Sequence, residues 1–373
     1  MKNIHWLGAG LSSIPGIRRL ASNNLNLTIW NRTLSKAEYS INHVQSRKVL
    51  AKTFKLKDFT SSLQEGDIVV SQLPASMHIQ IAKICLEKKC HFASTSYISP
   101  AIKELDQQVR DKKLIFINEI GLDPGIDHFF SHLLVAELQK QNLKKFSVSY
   151  KSFCGGISAI PNDFKYKFSW SPIGVIKALN NPAIFIDNYK KKTVTPYHEI
   201  NIYSINGEKF ESYPNRDSLP YLKEYNFPPQ WNIKNFIRGT LRLNGWTDAW
   251  KEIFSMLESP ANDLEEKIKT KSDELWSKYQ YNKNEKDRVV LSVQLDALEN
   301  EKIIWSSSYE LDEIGSGENS AMAKLVSITL SAGIDLMLDD KLKAGVQAAP
   351  SDKKIIEYFF KILKEHHISI HKR

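Results

Sequence analysis

Residues 4–21 read Ile4-His5-Trp6-Leu7-Gly8-Ala9-Gly10-Leu11-Ser12-Ser13-Ile14-Pro15-Gly16-Ile17-Arg18-Arg19-Leu20-Ala21. The largely apolar Ile4–Leu7 predicts a strand, Gly8–Ser13 a tight turn, and the run through Ala21 a helix. The same alternation continues outward. Leu27–Trp30, Asp67–Gln72, His91–Thr95 and Leu114–Asn118 predict strands, with helices over Ser35–His43, Met77–Leu86 and around Ala101–Arg110. Strands that alternate with helices imply parallel βαβ units covered on both faces. The first third is therefore expected to be α/β: a Rossmann-type, doubly wound parallel sheet.

After Pro124 the texture changes. Phe146–Phe153 alternates like a half-buried strand, and Val289–Ala297 and Ile303–Leu311 form a hairpin pattern around Glu299-Asn300-Glu301-Lys302. A polar, helix-compatible stretch spans Asn262–Tyr279. These features predict a second, α+β domain on an open mixed sheet. A long helix over Ser320–Leu338, capped by Gly315-Ser316-Gly317, and a last one over Lys353–Lys364 are expected to return to the first domain. The expected boundaries are 1–125, 126–318 and 319–373. An open sheet edge also suggests a homodimer.

The chain has 373 residues, with 51 Lys or Arg against 42 Asp or Glu, for a net charge of +9. Forty-two per cent apolar residues and eight Trp exclude a disordered chain. No unbroken run of about 18 apolar residues occurs, so no membrane partner is expected. The charge excess is concentrated in residues 1–123, which carry +7, whereas residues 124–330 are neutral. Nucleic-acid binding has no reading motif to support it. Cys85, Cys90 and Cys154 have neither disulfide-framework nor zinc spacing, which points to no metal and a reduced, cytoplasmic setting. The opening stretch lacks a cleavage pattern and reads as structure rather than a signal peptide.

The turn Gly8-Ala9-Gly10-Leu11-Ser12-Ser13 lies between a strand and a helix, the context a dinucleotide site requires. Glycines let a pyrophosphate approach the backbone, and the helix N-terminus offers free N–H groups and partial positive charge. At the end of the second strand an NAD enzyme places an acid. Here the chain reads Asn31-Arg32-Thr33, and a guanidinium there suits the 2′-phosphate of NADP.

Further motifs have no purpose legible from periodicity: Thr95-Ser96-Tyr97-Ile98-Ser99-Pro100, Asn118-Glu119-Ile120-Gly121-Leu122-Asp123-Pro124-Gly125-Ile126-Asp127-His128, Cys154-Gly155-Gly156, Tyr166-Lys167-Phe168-Ser169-Trp170-Ser171-Pro172, Tyr213-Pro214-Asn215-Arg216-Asp217-Ser218, Arg238-Gly239-Thr240-Leu241-Arg242 and Ser320–Val326. Together with the glycine turn and Trp30–Thr33, and in this order across nearly the whole chain, they resemble the saccharopine dehydrogenase family of the L-glutamate-forming type, also called saccharopine reductase. Two departures stand out. Ile157–Lys165 replaces a proline- and glutamate-containing loop, which puts the choice of substrate in doubt. The stretch between the Arg238–Arg242 motif and Ser320 is also shorter than in fungal members.

The resemblance implies NADP contacts at Gly8, Ala9, Gly10, Leu11 and Ser12, at Asn31, Arg32 and Thr33, and at Leu73, Thr95, Ser96, Leu122, Asp123, Pro124 and Ser169. It implies saccharopine contacts at Ser96, Tyr97, Asp123, Arg216, Thr240, Leu241 and Arg242. Two arginines suit a tricarboxylate, since each can hold a carboxylate with two parallel bonds. The implied activity is reversible, NADP-dependent interconversion of saccharopine with L-glutamate and L-2-aminoadipate 6-semialdehyde, in lysine metabolism. Asp123, Tyr97 and Cys154 are the candidates for proton transfer. His128 reads instead as a satisfied helix-start histidine. The alternatives are a carboxynorspermidine-type imine-reducing dehydrogenase and a non-catalytic NADPH-binding sensor.

Overall fold

The computed structural model describes residues 2–259 and 263–373, so Asn262, the expected start of the polar helix, lies outside the described residues. The chain divides into two compact units. One comprises Met1–Phe129 and Met322–Ile368, the other Phe130–Ala321 and Ser369–Arg373.

The first unit is built on strands β1 (Ile4–Leu7), β2 (Leu27–Asn31), β3 (Val49–Thr53), β4 (Ile68–Ser71), β5 (His91–Ser94) and β6 (Ile115–Ile117). They form one parallel sheet in the order β6-β5-β4-β1-β2-β3, and Gly345–Gln347 adds a seventh strand beside β6. Every residue of β1, β4, β5 and β6 is buried, as expected of strands covered on both faces. Two strands escape the sequence reading. In β3 only Val49 is buried, so this edge strand has no apolar run; Gly345–Gln347 is three residues long. The helix expected over Ala101–Arg110 is in fact two, Pro100–Lys103 and Asp106–Asp111.

A buried polar chain ties β1, β2 and β4 together. The Trp30 indole N–H donates to His5 Nδ1 at 3.2 Å, and His5 Nε2 lies 3.2 Å from Asp67 Oδ2. Because Nδ1 accepts, the proton of a neutral His5 sits on Nε2 and is donated to the carboxylate. Asp67 also accepts from the backbone N–H groups of Asn3 and Gln64. Burial raises the Asp67 pKa, but the bonds from His5, Gln64 and Asn3 outweigh it and hold the pKa below 3.8.

Helix Ile14–Ala21 lies against Ala321–Leu338 at one tight point. The Gly16 N–H donates to Ser327 Oγ at 2.8 Å, and a Cβ on Gly16 would stand 2.2 Å from the Ser327 carbonyl oxygen. Ala321–Leu338 is long and apolar enough, by length and composition, to cross a membrane, although Lys324 and Asp335 interrupt its apolar residues. Most of it is buried inside the protein.

The second unit carries a nine-stranded mixed sheet. Its main path runs Asn201–Ile205, Glu208–Pro214, Asn232–Leu243, Ser147–Ser158, Lys286–Glu299, Lys302–Ser316 and His371–Lys372, with Ala183–Asp187 and Lys190–Val194 attached to the side. Asn232–Leu243 and Ser147–Ser158 pair in parallel; their other partners are antiparallel. The expected hairpin is present and turns at Asn300 and Glu301, both at positive φ, as a two-residue turn matched to strand twist requires. Ile157 and Ser158, expected in a loop, extend the strand instead. The expected glycine cap is also corrected: the Asp287 carboxylate accepts the Ala321 N–H at 2.6 Å.

Two outcomes follow. Gly16→Ala should overpack the helix contact and cost about 1–3 kcal/mol, read as a lower urea midpoint. Asp67 has a depressed folded pKa, so its stabilisation is present above the unfolded carboxylate value and is lost as pH falls through the folded one. Asp67→Asn should therefore lower stability at pH 7 and flatten acid unfolding below pH 4; an acid limb as steep as wild type would contradict this.

Candidate functional site

In the first unit, the residues marked by sequence lie just beyond the carboxyl ends of parallel strands. Gly8 follows β1, Arg32 and Thr33 follow β2, and Leu73 follows β4. Thr95 and Ser96 follow β5, and Leu122–Pro124 lie in the loop after β6. The chain winds outward from β1 to β3, then crosses back to β4, which makes β1/β4 the point where the strand order reverses. Open α/β sheets bind ligands at such a point.

Local chemistry shapes this edge. Gly8 has φ 97°, and a Cβ there would meet the Gln72 carbonyl oxygen at 2.8 Å, so glycine lets the loops after β1 and β4 close together. The Asn31 side chain accepts from Ala9 N–H at 3.1 Å and donates to the Thr33 carbonyl at 2.9 Å, which joins the glycine turn to the loop after β2. Gly10 and Leu11 are exposed and Ser12 is half-buried.

This edge fits a dinucleotide. The N-terminus of helix Ile14–Ala21 carries no side-chain cap and no acidic residue in its first turn, so its partial positive charge is not offset by an acid of that turn, although Pro15 has no N–H and the Gly16 N–H is taken by Ser327 Oγ. Arg32 is exposed and forms no ion pair among the described residues, which leaves it free for a phosphate.

Deeper in the unit, Gln72 donates to Thr95 Oγ1 at 3.3 Å. His78, which sequence reading did not single out, bridges Ser71 Oγ and Ser96 Oγ, each at 2.9 Å. Burial lowers its pKa to about 4, so the ring is neutral at neutral pH. The Tyr97 hydroxyl donates to Asp123 Oδ1 at 3.1 Å, which brings two proton-transfer candidates into direct contact. Leu122 and Pro124 are buried, and Asp123 is half-buried. Below them Glu119 accepts the Ile98 N–H at 2.8 Å and lies 2.9 Å from Nε2 of the buried His128. His128 is thus a satisfied helix-start residue that braces the loop.

In the second unit, strand register assembles residues distant in sequence. Tyr213 lies opposite Thr240, and Thr240 opposite Cys154. Alternation then puts Arg238, Thr240 and Arg242 on one face. Leu241 points to the other, into a cluster with Phe153, Phe210 and Val290. Arg216 is exposed, at φ 61°, in the turn after Glu208–Pro214. Ser169 is half-buried beside the exposed Trp170.

Arg242 is the unusual member of this face. Only 5% exposed, it lies 4.8 Å from the ring centroid of Tyr166, 5.3 Å from that of Tyr213 and 5.5 Å from that of Trp246. It donates to the Tyr213 hydroxyl at 2.6 Å and to the Leu241 carbonyl at 3.1 Å. It has no carboxylate partner among the described residues, and its Nε–H meets no acceptor. Its register partner Glu211 is committed elsewhere, accepting from Gly245 N–H, Thr247 N–H and Thr247 Oγ1 at 2.5–2.7 Å. A buried cation without a counter-ion calls for an anion. Tyr166, Tyr213 and Trp246 were not singled out from sequence as site residues. The period-two spacing of Arg238, Thr240 and Arg242 was the signal that would have pointed to one shared face.

Comparison with known proteins places both parts of the chain in one family. Residues 4–117 match the saccharopine dehydrogenase NADP binding domain, and residues 121–368 match the saccharopine dehydrogenase C-terminal domain. A protein of Pyricularia oryzae named saccharopine dehydrogenase (NADP(+), L-glutamate-forming) is 28% identical over 447 aligned positions, which cover 98% of this chain and 97% of the relative. One of the same name from Saccharomyces cerevisiae is 34% identical over 278 positions, covering 70% of this chain and 60% of the relative. The apo structure of saccharopine dehydrogenase (L-Glu forming) from Saccharomyces cerevisiae superposes with a TM-score of 0.82 at 26% identity, covering 100% of this chain and 99% of that one.

Proposed function

The chain belongs to the saccharopine dehydrogenase family, and we propose that it is an NADP-dependent oxidoreductase that interconverts saccharopine with L-glutamate and L-2-aminoadipate 6-semialdehyde. The observation that carries this reading is Arg242: a buried guanidinium, boxed by three aromatic rings and without a carboxylate of its own. Such a site is complementary to a carboxylate, and saccharopine carries three.

In the oxidative direction, saccharopine's secondary amine loses a hydride and a proton to become an imine. Water then adds to the imine and the C–N bond breaks, releasing glutamate and the semialdehyde. NADP, when bound, supplies the two-electron acceptor or donor. The protein's own share is positioning and proton handling.

In this proposal Gly8, Ala9, Gly10, Leu11 and Ser12 receive the pyrophosphate, with the uncapped helix N-terminus behind them. Asn31, Arg32 and Thr33 hold the 2′-phosphate. Leu73, Thr95, Ser96, Leu122, Asp123 and Pro124 on the first unit contact the nicotinamide half, and Ser169 on the second is a further cofactor contact. Arg216 and Arg242 take substrate carboxylates; Thr240 and the Leu241 backbone are further substrate contacts on the second unit, and Ser96, Tyr97 and Asp123 are those of the first. The Tyr97–Asp123 hydrogen bond favours these two as the proton-handling pair over Cys154, which is buried.

The division of labour follows the same reading: an NADP-binding part over residues 1–125, a substrate part over 126–318, and returning helices over 319–373. Exposed Ile303, Ile304 and Ile314 on strand Lys302–Ser316 support a homodimer through the second unit. Three free thiols suit a reduced cytoplasm.

The direct test is spectrophotometric reduction of NADP+ with saccharopine, run beside NAD+. Turnover with NADP+ is expected to be faster, and Arg32→Ala should narrow the gap by about tenfold or more, as loss of a charge-assisted bond implies. Arg216→Ala and Arg242→Leu should each raise the saccharopine KM about tenfold or more while the NADP KM stays near wild type. Equal rises in both KM values would sink the substrate assignment.

A further inference from the structure

Beneath the carboxyl edge of the first unit's sheet lies a buried group of hydroxyls with one imidazole among them. Ser71 ends β4 and Ser94 ends β5, and the parallel register sets the two side by side. Both are buried, and Ser94 shares its face of the strand with Phe92. The helix Ala75–Glu87 follows β4 after a short link, and its first turn delivers His78 over that face. The ring stands edge-on to Phe92 at 6.2 Å and 69°. Its Nδ1 lies 2.9 Å from Ser71 Oγ, and its Nε2 lies 2.9 Å from Ser96 Oγ and 3.4 Å from Ser94 Oγ.

Ser96 is the half-buried end of this chain, and each of its polar groups is held. Its N–H donates to Ser94 Oγ at 3.0 Å, its carbonyl accepts from the Glu119 N–H at 3.2 Å, and its hydroxyl pairs with His78. A lone serine hydroxyl turns between staggered positions. One tied to a ring that is anchored at its other nitrogen does not. Burial lowers the His78 pKa to about 4, so at neutral pH the ring has one N–H and one lone pair. It gives to one hydroxyl and receives from the other, and the Ser96 hydroxyl keeps capacity for a further bond.

We propose that His78 is a positioning residue of the cofactor site: its ring ties Ser71 of β4 to Ser96 beyond β5 and so sets the direction of the Ser96 hydroxyl toward the nicotinamide half of NADP. It acts through Ser96, and Ser71 is its fixed end. The inference rests on the function proposed above, which gives Ser96 that contact, and adds to it His78 and Ser71, which had no part in it.

Fluorescence titration of NADPH tests it without turnover. His78→Asn keeps a polar group where Nδ1 stood and loses the bond to Ser96, whereas His78→Gln reaches as far as Nε2 and retains that bond. The NADPH Kd should rise about fivefold or more in His78→Asn, as loss of one hydrogen bond implies, and stay within about twofold of wild type in His78→Gln. Both variants lose the ring that packs on Phe92, so a merely structural role would make them alike. Ser96→Ala should raise the Kd about as much as His78→Asn, and the double variant no further, since the two act as one chain. Ser71→Ala removes the far anchor and leaves ring and Ser96 in place; it should raise the Kd about threefold, and it decides the matter should His78→Asn fail to fold. Equal losses in the Asn and Gln variants, additive losses in the double variant, or an unchanged Kd in Ser71→Ala would overturn the inference.

Turnover with saccharopine separates the two levels. Wild-type NADPH binding without turnover in either direction would remove the proposed reaction, while the Kd ratios still report on His78. Turnover in wild type with the same NADPH Kd in every variant would remove the role of His78 alone. The pH profile of kcat/KM should keep its shape in His78→Gln; a lost limb would make the ring a proton-transfer group and overturn its positioning role.

Discussion

Taking a guanidinium out of water costs on the order of several kcal/mol unless charge or hydrogen bonds are returned to it. Arg242 is held under that constraint, and the surrounding second unit is organised around it. The strand register that aligns Tyr213, Thr240 and Cys154 also puts Glu211 directly opposite Arg242. The obvious ion pair does not form, because Glu211 is engaged by the turn at Gly245–Thr247. That turn delivers Trp246 to the guanidinium. The acid therefore stabilises the fold at one remove and leaves the guanidinium without a carboxylate partner among the described residues. Aromatic faces supply part of what a carboxylate would have supplied.

The first unit obeys a different constraint. Parallel strands need crossovers, and the reversal between β1 and β4 opens the sheet's carboxyl edge. Glycine at position 8 is what allows the loops after β1 and β4 to meet there. Around that edge the polar groups are braced from behind: His78 between Ser71 and Ser96, Asn31 between the glycine turn and Thr33, and Glu119 between Ile98 and His128. Each brace links segments that follow different strands. Loop residues are held by side chains behind them, and this is how loops acquire the precision of a scaffold.

Legibility followed the range of the interactions. The strand, turn and helix of residues 4–21 are encoded locally, by an apolar run and by glycines that permit a tight turn, and they stand as read. Val49–Thr53 and Gly345–Gln347 were missed because an exposed edge strand and a three-residue strand leave no apolar pattern. The Ala321 cap was misassigned to nearby glycines, since Asp287, 34 positions earlier, reaches it through the sheet. His78 carried no mark at all: a histidine on an amphipathic helix is ordinary until its neighbours in space are known.

Sequence by itself determined the doubly wound sheet, the glycine turn between its first strand and helix, and the basic residue after β2. These depend on chain neighbours, whose spacing and chemistry are visible in a line of letters. It also marked Arg216 and Arg242 through their motifs. Only the tertiary structure decided that the two differ, one exposed in a turn and the other buried among Tyr166, Tyr213 and Trp246. Only it decided that Glu211 stands aside and that Tyr213 accepts from the Arg242 guanidinium. Burial and the direction of a hydrogen bond are properties of neighbours across the sheet, and strand pairing, not sequence separation, chooses those neighbours.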